Sequence, residues 1–249
     1  MSTRQTIEVA IAHGTRLLMA HLTVPPRPGG IVIFAHGTGS SRHSPRNQHV
    51  ARILEHAGFA TLLLDLLTSG EANLDEQTLH YRFDIPLLAQ RIVSATDWAA
   101  ERGETHGLPV GYFGTSTGAA AAIVAATHRP RLVRAIVSRG GRPDLAGASL
   151  TSLWVPTLLI VGGSDETVLA VNREAGRKIC GQHEVRVIPG ATHLFEEPGA
   201  LDEVAEMAAA WFREALHVGS KDTLGPEWDN ETYEHVLEGS IVSGEDRNA

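Results

Sequence analysis

The chain contains a single cysteine, Cys180, in 249 residues, so an internal disulfide is impossible and a disulfide-stapled scaffold is excluded. No apolar run approaches the roughly 20 residues that a membrane span needs. The N-terminus, MSTRQTIEVAIAHG, has no basic patch followed by an apolar stretch, so it does not read as a signal or transit peptide, and a cytoplasmic location is expected. Basic residues are in deficit, 21 against 29 acidic, for a formal net charge of -8; phosphate neutralisation needs clustered Lys and Arg, so no nucleic-acid partner is expected. There is no H-E-x-x-H motif and no Cys-His cluster, and histidines 36, 43, 49 and 56 alone do not argue for a metal site. A G-K-[ST] phosphate loop is also missing. The pair Gly37-x-Gly39 opens like a dinucleotide fingerprint but has Arg42 where the third glycine belongs.

What the chain does have is one unit long enough for a single large core, followed by an acidic extension. Residues 1–216 carry 21 acidic and 19 basic side chains, whereas 217–249 carry 8 and 2. Most of the acidity therefore belongs to the extension, where a short helix is expected around Tyr233 to Leu237. No repeat and no Pro- or Ser-rich linker divides the first 216 residues.

From residue 31 to 216, short apolar runs alternate with longer amphipathic ones, the pattern of βα units around a parallel sheet. Ile7 to Ile11 and Arg16 to Thr23 read as an antiparallel edge hairpin turning at His13-Gly14-Thr15. Ile31 to Ala35, Ala60 to Leu64, Val110 to Phe113, Arg134 to Ser138, Thr157 to Val161 and Glu184 to Ile188 suit strands buried on both faces. Helices are expected over Gln48 to His56, Ile85 to Arg102 (capped by Asp84, with Pro86 inside), Thr117 to Ala126, Leu169 to Ile179 and Leu201 to Leu216. The expected fold is an α/β-hydrolase: an eight-stranded, mostly parallel sheet flanked by helices. The connections after Leu64 and Ser138 are too short for a large cap domain.

The sharpest local signal is Gly114-Thr115-Ser116-Thr117-Gly118, an apolar strand running through G-x-S-x-G into an alanine-rich helix, which is a nucleophile elbow in its required context. Ser116 would project above the sheet at a helix N-terminus. Ile31 to Ala35 enters His36-Gly37-Thr38-Gly39, where an oxyanion loop is needed, so the backbone N–H groups of Thr38 and Thr117 are the expected oxyanion donors. Asp165 follows one later strand and His193 the last, in the order Ser, Asp, His that this fold uses. Strand carboxyl ends share one edge of a parallel sheet, so the three side chains can converge. The competing role for Asp165 is an N-cap.

Taken together, FAHGTGSSRHSPRN, HYRFDIPLLAQRI, GYFGTSTGAAAA, VSRGGRPDLAG, LIVGGSDETV and VIPGATHLFEEPGAL make residues 8–216 resemble the dienelactone-hydrolase-like branch of the α/β-hydrolases. The resemblance implies a small esterase-like enzyme that needs no cofactor, with Ser116, Asp165 and His193 in the triad positions. The dienelactone hydrolases proper use a cysteine nucleophile, so this chain is a serine variant and dienelactone is not its expected substrate. Cys180, near the end of an expected helix, is expected to pack rather than react.

The expected activity is hydrolysis of a small-molecule carboxylic ester, thioester or lactone through an acyl-enzyme on Ser116. Its rivals are a non-catalytic ligand-binding module, an acyltransferase and a cofactor-free haloperoxidase-like activity. For substrate binding the candidates are His36, Leu66, Arg139 and Trp154, with Leu67, Leu145, Leu150 and Leu153 shaping an open site. Arg139 could hold a substrate carboxylate or phosphate; an equal reading pairs it with Asp65 or Asp84 to fix the loops. Arg42, His43 and Arg46 read as a solvated loop.

Overall fold

The structure is a computed structural model that describes residues 5–216; the acidic segment 217–249 and its expected short helix lie outside the described residues. Eight strands form one sheet in the order β1-β2-β4-β3-β5-β6-β7-β8. β1 (Gln5–His13) and β2 (Arg16–Val24) form the expected hairpin, and β2 also runs antiparallel to β4. β3 (Ile31–Ala35), β4 (Ala60–Leu64), β5 (Val110–Thr115), β6 (Val133–Arg139), β7 (Thr157–Gly162) and β8 (His183–Ile188) are mutually parallel. β3 to β7 are fully or almost fully buried, the consequence of helices on both faces.

The helices are α1 (Pro45–His56), α2 (Ser69–Thr78), α3 (Ile85–Glu101), α4 (Thr117–His128), α5 (Glu166–Gly176) and α6 (Ala200–Ala215). One apolar core lies between the sheet and α3, α4 and the 3₁₀ segment Pro143–Ser152; the other lies between the sheet and α1 and α6. Asp84 caps α3 as expected, its side chain accepting from Leu87 N–H at 3.0 Å. No large cap interrupts the connections. No helix among the described residues is long and apolar enough to cross a membrane.

The structure adds α2 and the 3₁₀ segment to the elements read from the sequence, and it corrects Cys180. That residue lies beyond the end of α5 and is exposed rather than packed, its thiol donating to Thr151 O at 3.1 Å. Arg42 is not solvated either: it is 15% exposed and pairs with Asp65 and Glu8.

The strand order reverses at β3, whose neighbours are β4 on one side and β5 on the other. In parallel sheets a crevice opens outside the strand carboxyl ends where connections depart in opposite directions. The loops that follow β3 and β5 leave from that point.

Candidate active site

Ser116 joins β5 to α4 with φ 50° and ψ -123°, a left-handed conformation that costs a non-glycine residue about 1–3 kcal/mol. Packing enforces it. A Cβ at Gly118 would stand 2.3 Å from the carbonyl oxygen of Ala35, and one at Gly114 would stand 2.5 Å from Ala119 Cα, so α4 can start this close to the sheet only because both positions lack side chains. The Ser116 side chain caps no amide of α4. Its carbonyl accepts from Arg142 N–H at 3.0 Å, which holds the loop after β6 over the elbow.

Asp165 and His193 meet as the sequence predicts: His193 Nδ1 lies 2.7 Å from Asp165 Oδ2. The other carboxylate oxygen, Oδ1, accepts from Val168 N–H at 3.2 Å. One carboxylate therefore both caps α5 and hydrogen-bonds the imidazole, so the cap does not preclude the contact with His193. A proton shared at Nδ1 leaves Nε2 as the basic nitrogen of the neutral ring. The His193 loop is itself fixed by Phe195, which is buried and strained at φ 55°. His193 and Ser116 border the same turn: a Cβ at Gly140 would lie 3.5 Å from His193 Cε1, and Arg142 two residues on binds the Ser116 carbonyl.

Thr38 and Thr117 are also adjacent, with their hydroxyls 3.3 Å apart. Gly37, the residue before Thr38, is held on both sides. Gly37 N–H donates to Thr115 Oγ1 at 2.9 Å, and Gly37 O lies 2.9 Å from His36 Nδ1. His36 Nε2 accepts from Leu66 N–H at 2.9 Å. A carbonyl can only accept and an amide can only donate, so His36 is neutral with its proton on Nδ1. Burial, which disfavours the imidazolium, lowers its pKa. In a trans peptide the N–H points opposite to the C=O, so pinning Gly37 O fixes where Thr38 N–H points. Thr115 escaped the sequence reading, although a hydroxyl one residue before the elbow serine was its visible signal.

The four substrate-binding candidates fare differently. His36 is buried with both ring nitrogens bonded to backbone, and Leu66 is 1% exposed in the core, so neither offers a surface to a ligand. Leu150 and Leu153 are core residues too. Trp154 is exposed but precedes β7 and touches the backbone before β8, which places it at the amino ends of the strands, opposite Ser116. Arg139 closes β6 beside Thr115 in register. It is 7% exposed, and its Nη1 is buried with no hydrogen-bond partner among the described residues. Burial, with the like charge of Arg46 in support, pushes its pKa down to about 10. It does not pair with Asp65, which holds Arg42, or with Asp84, which caps α3. No cluster of three or more His, Cys, Asp or Glu among the described residues could hold a metal ion.

A family model for the dienelactone hydrolase family matches residues 18–218. The solved structure of a dienelactone hydrolase from Anabaena variabilis is 52% identical with a TM-score of 0.84, covering 86% of this chain and 99% of that one. Est1E from Butyrivibrio proteoclasticus, at 17% identity and a TM-score of 0.68 over 84% of this chain and 98% of that one, shares the fold alone. A Mycobacterium tuberculosis protein provisionally named a phosphoribosyl transferase, in strains H37Rv and CDC 1551, is 56% identical over 209 residues, 84% of this chain and 46% of that protein. The chain thus spans about half the length of the curated relatives it matches.

Proposed function

The chain belongs to the dienelactone hydrolase family, and from that premise we propose that it is a serine hydrolase cleaving carboxylic esters of small molecules through an acyl-enzyme on Ser116. The observation that carries this reading is the strained serine at the β5–α4 elbow, with an Asp165–His193 pair bordering the same turn. In the proposed reaction Ser116 Oγ attacks the ester carbonyl carbon while His193 Nε2 takes its proton. Asp165 keeps the imidazole oriented and stabilises the imidazolium. Negative charge developing on the carbonyl oxygen is met by the N–H groups of Thr38 and Thr117. Collapse expels the alcohol, which takes the proton from His193. Water, deprotonated by the same nitrogen, then releases the acid and restores Ser116. No step calls for a cofactor, and the location proposed for the reaction is the cytoplasm.

The phosphoribosyl transfer in the mycobacterial name describes a protein about twice as long as the stretch matched here. The Ser116 site has the parts of acyl transfer, and ester hydrolysis is the activity we assign to it. Labelling with a fluorophosphonate probe and a panel of aryl esters test it. The expected result is labelling and hydrolysis in the wild type, with Ser116→Ala losing the label and about four or more orders of magnitude in kcat. A folded wild type that neither labels nor turns over would make the chain a binding module instead.

A further inference from the structure

Asn172, in α5, is fully buried and uses only one end of its side-chain amide. Its Nδ2 donates to Val168 O at 2.8 Å, one turn back, and to Gly141 O at 2.9 Å, across in the loop after β6. Both partners are carbonyls, which only accept, so the nitrogen faces them and both of its hydrogens are used. Oδ1, by contrast, is buried with no hydrogen-bond partner among the described residues. A polar atom in that state is costly, and an apolar side chain of similar size would fill the position without the penalty. Packing alone therefore does not account for an asparagine here, whereas the two bonds from Nδ2 do.

Those bonds lie on a continuous path around the catalytic residues. Gly140 N–H donates to Ile160 O in β7 at 2.8 Å and Arg142 N–H donates to Ser116 O at 3.0 Å; between these two held amides, Asn172 holds the carbonyl of Gly141. Gly141 is pressed against the elbow helix, since a Cβ there would stand 2.6 Å from Ala119 Cβ. On its other side Asn172 leads to Val168, whose N–H binds Asp165 Oδ1, and Asp165 Oδ2 meets His193 Nδ1. Building on the ester-hydrolase reading, we infer that Asn172 is a positioning residue: its amide nitrogen ties the turn that holds the Ser116 carbonyl to the helix capped by Asp165, and so sets the spacing between nucleophile and base. It touches neither substrate nor reacting atoms and acts through Gly141 and Val168. Such spacing bears on the chemical step, because a displacement of about 1 Å at a reacting group costs up to about a hundredfold in rate. Aspartate would set carboxylate oxygens against two carbonyls, and leucine would offer no donor.

The test uses the full chain with Asn172→Leu and Asn172→Ser. Leucine keeps the volume and loses both bonds; serine on a helix can bond the carbonyl one turn back but is too short to reach Gly141 O. With an aryl ester as substrate, both variants are expected to lose about ten- to a hundredfold in kcat while KM stays within about twofold. Amide hydrogen exchange supplies a readout that needs no turnover. The N–H groups of Arg142 and Val168, at the two ends of this strut, are expected to accelerate in both variants by about tenfold more than that of Val32 in β3, which reports opening of the whole sheet. A folded Asn172→Leu with wild-type kcat, a loss carried by KM, wild-type kcat in Asn172→Ser, or acceleration no greater than at Val32 overturns the inference. Should Asn172→Leu not fold, Asn172→Ser decides it by the same measurements. Should the wild type hydrolyse no ester, the hydrolase reading fails and hydrogen exchange alone decides the strut.

Discussion

Asp165 shows how one carboxylate can hold two positions, and the two can be separated. Asn also caps helices, and Asp165→Asn keeps an oxygen for Val168 N–H while losing the charge that steadies the imidazole. The expected outcome is a thermal midpoint within about 2 °C of wild type, since the cap survives, with kcat down by about four orders of magnitude. A matching loss of stability would mean that Asp165 acts chiefly as a cap. His36 makes a prediction about pH. Its folded pKa is depressed, so below the ordinary value of 6.5 the unfolded chain binds a proton that the folded chain refuses. Stability should therefore be full above pH 6.5 and decline as pH falls through it, at up to about 1.4 kcal/mol per pH unit for one proton. His13 and His21 are depressed by burial as well and share this sign. Urea denaturation from pH 7.5 to 5 should show the decline, and His36→Gln should remove part of the slope. It should also reduce kcat more than it alters KM, because Thr38 N–H is then less firmly aimed.

Helix α2 was invisible in the sequence for a physical reason. Its residues, SGEANLDEQT, bear no apolar stripe, and polar fastenings hold it instead. Thr68 and Glu71 make a capping box, Glu71 Oε1 binds the buried Arg91 at 2.7 Å and Arg16 at 2.8 Å, and Asp75 accepts from Arg82. Periodicity reads apolar faces and passes over such an element. β3 and β4, by contrast, were legible to the residue, because strands covered on both faces are unbroken apolar runs that stop where burial stops. The fastening of α2 has a stability signature. The hydrogen bonds from Arg91 and Thr68 outweigh the cost of burial and hold the Glu71 pKa at about 2 against an ordinary 4.5. A depressed carboxylate contributes stability above its unfolded pKa and loses it as pH falls toward its folded one. Glu71→Gln should therefore cost about 3–5 kcal/mol at pH 7, because Arg91 is left buried and uncompensated. The difference from wild type should shrink between pH 4.5 and 2, as read by denaturant titration at each pH. A gap that stays constant over that range would show that packing, not charge, accounts for the cost.

At the scale of the whole molecule, the placing of Ser116, Asp165 and His193 after the carboxyl ends of β5, β7 and β8 could be read in advance, because parallel topology sends all loops that follow strands to one edge. The same rule explains the misplacement of Trp154: it precedes its strand, and a residue on that side of a parallel strand lies at the opposite edge. Arg139 was legible as a candidate but not as an unpaired charge, since Asp65 is taken by Arg42, 23 residues away in sequence, while Asp84 is occupied by its own cap of α3. The far end of α6 bears on where the folded unit stops. Phe212 and Leu216 are buried and pack against two glycines, Gly111 in β5 and Gly30 just before β3: a Cβ at Gly111 would stand 2.6 Å from the Phe212 ring, and one at Gly30 would stand 3.0 Å from Leu216 Cδ1. These two side chains close the core on that face, whereas residues 219–249 lie past the family match. A chain ending at residue 218 should keep its thermal midpoint within about 2 °C and its ester turnover within about twofold, since surface changes away from core features typically stay within about 0.5 kcal/mol. A chain ending at residue 210 loses both side chains and should be unfolded at 37 °C, since deleting one buried Phe alone costs about 3–5 kcal/mol of a total near 5–15. Thermal melts of the two truncations check the boundary, and a marked loss in the longer one would extend the cooperative unit into the acidic segment.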